Sequence, residues 1–311
     1  MFQMVRKIVG GFLAISLVGS FLFHVVNLQD STIKPPIQEF TYGVALDTEP
    51  LPNNIKLVSG PWLYSSWSDK NSQWLKQFNQ PENKDKLPYL NTYIVAGLAR
   101  EEKRLQDCNV GAEPNKTLCK EGANYIRNNK QKIYENYLNS ALQIKQIYGM
   151  DRPILLHFEP DYYQYQGSEQ NGGRLTFEEL AGQMNTWTDT VKRILPNARL
   201  VMDISPWNID LEYWSKKFRN FEYGGLVGKR FDPAGDGGTA NGIDGKTFKK
   251  ISELSGKKLI INDAHGAGGN WLEYNKNWEN RQLASDRYND GIVAVIQAPV
   301  DLVSLQKVAL R

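Results

Sequence analysis

Hydrophobic and polar positions follow two different rhythms along this chain. Short apolar runs recur over residues 42–46, 62–65, 89–95, 154–157, 199–202, 224–227, 258–261 and 291–296. Runs of that length with little polar alternation predict strands buried on both faces. Helical spacing fills the gaps between them. Over 124–148 the apolar positions are Ile126, Ile133, Tyr137, Ala141, Ile144 and Tyr148, with Gly149 as a stop. Over 176–195 a capping box, Thr176 with Glu179, precedes Leu180, Met184, Trp187, Val191 and Ile194, and Pro196 follows. Shorter helices are predicted over 211–218, 246–254 and 280–288.

Helices alternating with buried strands imply an α/β fold with a parallel sheet covered by helices. Eight such units match the ~250-residue size of a (β/α)8 TIM-type barrel. A doubly wound sheet would carry a Gly-rich dinucleotide turn after an early strand. The chain has Gly-Asp-Gly-Gly at 235–238 but no G-x-G-x-x-G. The expected organisation is one barrel domain over 39–311, a linker over 28–38 with Pro35-Pro36, and a separate segment over 1–27.

That first segment has Arg6 and Lys7 ahead of an apolar run from Ile8 to Phe23. A basic flank before such a run predicts an export signal or an amino-terminal membrane anchor. The barrel is therefore expected outside the cytoplasm, whether secreted, periplasmic or anchored, and any membrane contact would run through this segment. Cys108 and Cys119 are the only cysteines of the 311 residues, in a polar stretch with Gly and Pro. In an exported chain their simplest use is a disulfide that staples a loop. The formal charge of +3 is small and both signs are interspersed, so no basic stripe for nucleic acid is present.

The carboxyl ends of the expected strands carry a recurring set of polar residues. They offer Asp47 and Glu49; Ser65, Ser66, Trp67 and Asp69; His157, Glu159 and Asp161; Asp203, Ser205 and Trp207; Lys229, Arg230 and Asp232; Asn262, Asp263, His265 and Trp271; and Gln297. In a barrel these ends converge on one face, where active sites sit. A cleft lined with carboxylates and aromatics suits sugars, since ring faces stack on Trp and Tyr while hydroxyls need paired donors and acceptors. Trp62, Trp67, Trp207, Trp271 and Trp278 fall in or near loops on that face.

Cleavage of a glycosidic bond needs two carboxyl groups across the bond. Glu159 is the candidate acid, because aromatic neighbours such as Tyr162 and Tyr163 would raise its pKa. Its partner must come from another strand: Asp263 or Asp203, with Asp47 third. Asp161 is too close in sequence to lie opposite Glu159 and is expected to tune or bind. His157 and His265 would bond the carboxylates or sugar hydroxyls. Trp207, Trp271, Trp67 and Tyr163 would hold sugar rings, and Lys229 or Arg230 would contact hydroxyls or an acidic sugar. This chemistry requires no cofactor. With His24 in the leader, only two His remain and no H-E-x-x-H, which argues against a His-rich zinc site, and no G-x-S-x-G marks a serine hydrolase. The non-enzymatic alternative is a barrel that only binds polysaccharide.

The segment Leu155-Leu156-His157-Phe158-Glu159-Pro160-Asp161 resembles the fourth-strand motif of the (β/α)8 glycoside hydrolases of clan A, in which a Glu before Pro is the acid/base. The resemblance implies a nucleophile at the end of strand seven, where Asp263 stands. It departs from the pattern at Phe158, where an Asn is usual, and at Asp263, where a Glu is. A shorter nucleophile would widen the gap between carboxyls and favour inversion of configuration.

Overall fold

The computed structural model describes residues 37, 40–46, 51, 55–103, 105–106, 117–167, 173–204, 210–227, 247–262 and 281–297. Eight parallel strands close into a barrel in chain order: β1 (Thr41–Ala45), β2 (Leu57–Ser59), β3 (Leu87–Thr92), β4 (Ile154–Phe158), β5 (Ala198–Asp203), β6 (Phe221–Val227), β7 (Lys258–Asn262) and β8 (Ile292–Gln297). β8 pairs back onto β1, with Tyr42 opposite Val295, so no edge is left open. The described helices are α1 (Asp69–Lys76), α2 (Ile94–Lys103), α3 (Leu118–Asn128), α4 (Lys130–Tyr148), α5 (Phe177–Ile194), α6 (Leu211–Lys217), α7 (Phe248–Ser255) and α8 (Arg281–Asn289). None of them is long and apolar enough to cross a membrane. The barrel belongs to the compact unit that begins at Pro36.

The near-continuous apolar strands have the expected physical cause, since each is covered on both sides. Leu57, Leu87, Tyr89, Leu155, Val201, Tyr223, Ile260, Ala294 and Ile296 fill the barrel interior. Ile37, placed by sequence in the linker, is buried among them. The alternate residues face the helices, where α4 buries Ile133, Tyr137, Ala141, Ile144 and Tyr148 and α5 buries Leu180, Met184, Trp187 and Val191. Each fully buried aliphatic or aromatic side chain contributes roughly 1.5–3 kcal/mol. The capping box of α5 forms as expected: Glu179 N–H donates to Thr176 Oγ1 at 3.1 Å and Thr176 N–H to Glu179 Oε2 at 2.8 Å.

Three elements differ from expectation. The second strand is Leu57–Ser59, not 62–65; the later run contributes only the bridge of Leu63 to Thr92. The run over 89–95 splits, because the chain turns into α2 straight after Tyr93. The single helix expected over 124–148 is two, interrupted at Asn129, whose ψ of 19° is not helical. α1 was not read from the sequence. Its polar surface hides the pattern, and only Asn71, Trp74 and Leu75 are buried.

Candidate active site

The inward-facing positions of β3, β4, β5 and β7 become polar toward their carboxyl ends and meet in one cluster. Its centre is His157 on β4, fully buried. The Tyr89 hydroxyl lies 2.9 Å from His157 Nδ1, and Asn91 Oδ1 lies 3.2 Å from the same nitrogen. Burial, the nearby Asp203 charge and a smaller opposing bond from Asn262 leave the Tyr89 pKa well above its ordinary value. Tyr89 therefore keeps its proton. The other ring nitrogen, Nε2, faces Asp203 Oδ1 at 3.5 Å, slightly beyond a hydrogen bond. Asn262 Nδ2 reaches Asn91 Oδ1 at 3.5 Å, tying β7 to β3.

Asp203, the last residue of β5, has 8% of its surface exposed and carries the mouth carboxylate of this cluster. Its second oxygen accepts the Asp161 backbone N–H at 3.1 Å. Gly225 on β6 completes the floor. A Cβ there would sit 2.7 Å from the His157 ring, so no larger residue fits without moving the imidazole. Asn91 Nδ2, His157 Nε2 and Asn262 Oδ1 are buried polar atoms of this group without a hydrogen-bond partner. Buried polar groups are normally paired, so three unpaired ones in one cluster point to a bound ligand or ordered water.

Glu159 is not part of this cluster, which corrects the role expected for it. Alternation from His157 would aim it into the barrel. Its backbone, however, has φ +41°, and Asp161 follows Pro160 with φ 72°. This left-handed turn ends β4 and swings the carboxylate into the helix layer. There Glu159 Oε1 accepts Val95 N–H at the start of α2 (2.8 Å) and the Tyr137 hydroxyl from α4 (2.6 Å). Tyr137 in turn stacks on Phe158 and Trp187, with ring centroids 5.1 and 5.2 Å away. Fully buried, Glu159 satisfies the amino terminus of α2 as a capping side chain would. Desolvation raises its pKa to about 7, against the opposing pull of the Tyr137 hydroxyl and the backbone N–H groups of residues 94–96.

Two other expected sugar contacts also pack elsewhere. Trp67 lies partly buried against the core, and its indole N–H donates to Ser72 Oγ at 2.7 Å. Tyr163 packs against Trp214 and Phe177, at 5.4 and 6.0 Å, under the start of α5 and α6. Asp161 joins the site through its main chain, while its side chain accepts Gln164 Nε2 at 2.7 Å. Asp47, Trp207, Lys229, Arg230, Asp263, His265 and Trp271 lie outside the described residues, as does Cys108. Among the described residues no three His, Cys, Asp or Glu side chains gather as metal ligands would. Tyr89, Asn91 and Gly225 were missed in the sequence. The period-2 alternation of Leu87, Tyr89 and Asn91 was the available signal for the first two.

No protein-family model matches the chain, and no curated protein does. The fold does have counterparts among solved structures. It is similar to a GH26 beta-mannanase from Bacteroides ovatus, with a TM-score of 0.55 and 11% identity over 84% of this chain and 80% of that one. It is similar also to a ruminal GH26 endo-beta-1,4-mannanase, with a TM-score of 0.50 and 9% identity over 86% of this chain. The alignment spans 60% of that enzyme's length. An Old Yellow Enzyme from Pichia sp. AKU4542 aligns at a TM-score of 0.47 and 10% identity, over 81% of this chain and 73% of that one. At such identities the likeness to the two GH26 structures is one of fold, and it bears out the eight-stranded barrel that the clan A resemblance implied.

Proposed function

We propose that this barrel is a glycoside hydrolase acting on a polysaccharide outside the cytoplasm, with Asp203 as the carboxylate at the scissile bond. The observation that carries this reading is the inward cluster of Asp203, His157, Asn91 and Asn262, which gathers one carboxylate and several buried polar groups at the catalytic end of the barrel. The two similar GH26 structures are those of mannanases, which supports the substrate class. The Asp161 N–H holds one oxygen of the Asp203 carboxylate, and in this reading that carboxylate attacks the sugar or activates water. Asp263, which directly follows Asn262, is the proposed second carboxyl. Export through residues 1–27 would deliver the barrel to such a substrate.

The purified chain is expected to release reducing ends from at least one of mannan, glucomannan, xyloglucan, β-glucan or xylan. Asp203→Asn should lower that release by roughly 10²–10⁴-fold, the usual weight of an acid–base group. Undiminished release by Asp203→Asn would overturn the assignment. The withdrawal of Glu159 into the helix layer favours one second reading, a barrel that binds polysaccharide without cleaving it. Saturable binding with no turnover by the unmutated chain would establish that reading instead.

A further inference from the structure

The rim above β2 and β3 carries an aromatic group whose orientation follows from a slip in register. Ser59 pairs with Tyr89, but Leu63 pairs with Thr92, so β2 spends one residue more than β3 over this stretch. Leu63 N–H donates to Asn91 O at 2.8 Å and Tyr93 N–H to Leu63 O at 2.7 Å, which locks the slipped register. Leu63 thereby shares the helix-facing side with Thr92. Its neighbours Trp62 and Tyr64 share the axial side with Asn91 and Tyr93. Trp62 and Tyr64 lie nearly parallel, 19° apart with centroids 6.3 Å distant, and Tyr93 supports both rings edge-on at 5.4 and 6.1 Å. Tyr64 is 42% exposed.

This group is built rigidly. Gly97 of α2 lets the backbone of Tyr64 and Ser65 rest on the helix, since a Cβ there would stand 2.4 Å from Ser65 N. The Ser65 hydroxyl donates to Glu101, and the Arg100 guanidinium lies over Tyr64 and Tyr93 at 5.9 and 5.6 Å. α2 itself is pinned at its start by Glu159. Tyr93 stands two residues, about 7 Å of strand, beyond Asn91, which touches His157. Tyr93 and Leu63 thus tie the aromatic group to the end of the strand that carries Asn91. A second aromatic group, around Tyr213 on the α5–α6 rim, is engaged differently: Glu178 accepts the Tyr213 hydroxyl, and Lys217 Nζ lies 4.6 Å over its ring.

We propose that Trp62 and Tyr64 form a platform for a pyranose unit of the substrate, displaced along the polysaccharide from the bond at Asp203. The proposal rests on the reading of the mouth as a polysaccharide site. The ligand chemistry is a β-linked gluco- or manno-configured sugar, whose C–H face is apolar and flat enough to lie on paired rings while its hydroxyl edge stays in water. Preorganisation by Gly97, Glu101 and Arg100 limits the ordering cost of such contact.

The test uses the full chain carrying Asp203→Asn, titrated calorimetrically with hexasaccharides and disaccharides of β-1,4-glucan and β-1,4-mannan. Adding Tyr64→Ala or Trp62→Ala should weaken hexasaccharide binding roughly tenfold, the scale of one lost aromatic stack. Disaccharide binding and the Tyr213→Ala control should stay within about twofold. Gly97→Ala keeps both rings but displaces their seat, and it should weaken hexasaccharides in the same direction. Tyr64 is exposed enough that its removal leaves the fold intact, which thermal unfolding checks. Unchanged hexasaccharide affinity in both ring variants overturns the platform, as does failure of the Asp203→Asn chain to bind any probe. The hydrolase reading fails or stands separately. Tyr64-dependent binding with no turnover by the unmutated chain keeps the platform and removes the hydrolase. Turnover that ignores both rings does the reverse.

Discussion

Glu159→Gln separates the two roles that this residue could hold, because the helix-layer role makes stability depend on pH in a defined direction. The carboxyl is fully buried with a pKa raised from 4.5 to about 7, chiefly by desolvation. In the unfolded chain it titrates near the ordinary value for a glutamate, so the folded state binds the proton more tightly. The stabilisation is then complete below pH 4.5, declines as pH rises, and has gone once pH passes about 7. At 1.36 kcal/mol per unit, the loss across that window is about 3 kcal/mol. Gln is a close stand-in for the protonated acid. Its amide oxygen can still accept from Val95 N–H and Tyr137 O–H, and its NH2 replaces Oε2, which has no hydrogen-bond partner in the structure. Urea unfolding followed by Trp fluorescence at pH 5 and pH 8 is the assay. Wild type and Glu159→Gln should have similar stability at pH 5, and the variant should be more stable by about 3 kcal/mol at pH 8. Turnover at pH 6 should fall by less than about tenfold, against the ~10²–10⁴-fold expected on losing an acid/base group. Parallel stability–pH curves for the two proteins, with activity abolished, would refute the helix-layer placement and return Glu159 to the mouth.

Two further outcomes follow from the same geometry. Gly225→Ala places a Cβ 2.7 Å from the His157 ring, so it should cost about 1–3 kcal/mol of stability and disturb Asp203 with no catalytic side chain removed. kcat should drop more than KM rises, and a kcat at wild-type level would show that the imidazole does not position Asp203. For Cys108 and Cys119 we propose the pairing read from the sequence: intact protein should resist alkylation until reduced and then take up two labels, whereas labelling without reductant would show free thiols.

The barrel was legible in the sequence because its strands are buried on both faces, which leaves seven of the eight as apolar runs without sustained alternation, and because α4 and α5 carry long, periodic faces. His157 and Asp203 were legible as polar residues at strand ends. Elements governed by local backbone detail were not. α1 has too few apolar positions to show a period, and the run over 89–95 gives no sign that its last residues enter a helix.

Which strand ends bear carboxylates, histidines and aromatics can be read directly from the order of residues. Which of those groups face one another is set by how the chain packs. Side-chain direction alternates every residue, so a single left-handed turn at Glu159 or a one-residue slip beside Leu63 reverses the side to which a group points. Both are backbone events fixed by neighbours distant in the chain: the start of α2 and Tyr137 for the first, Asn91 and Thr92 for the second. Glu159 thus left the cluster around His157, and Asp203 is the carboxylate that remains in it.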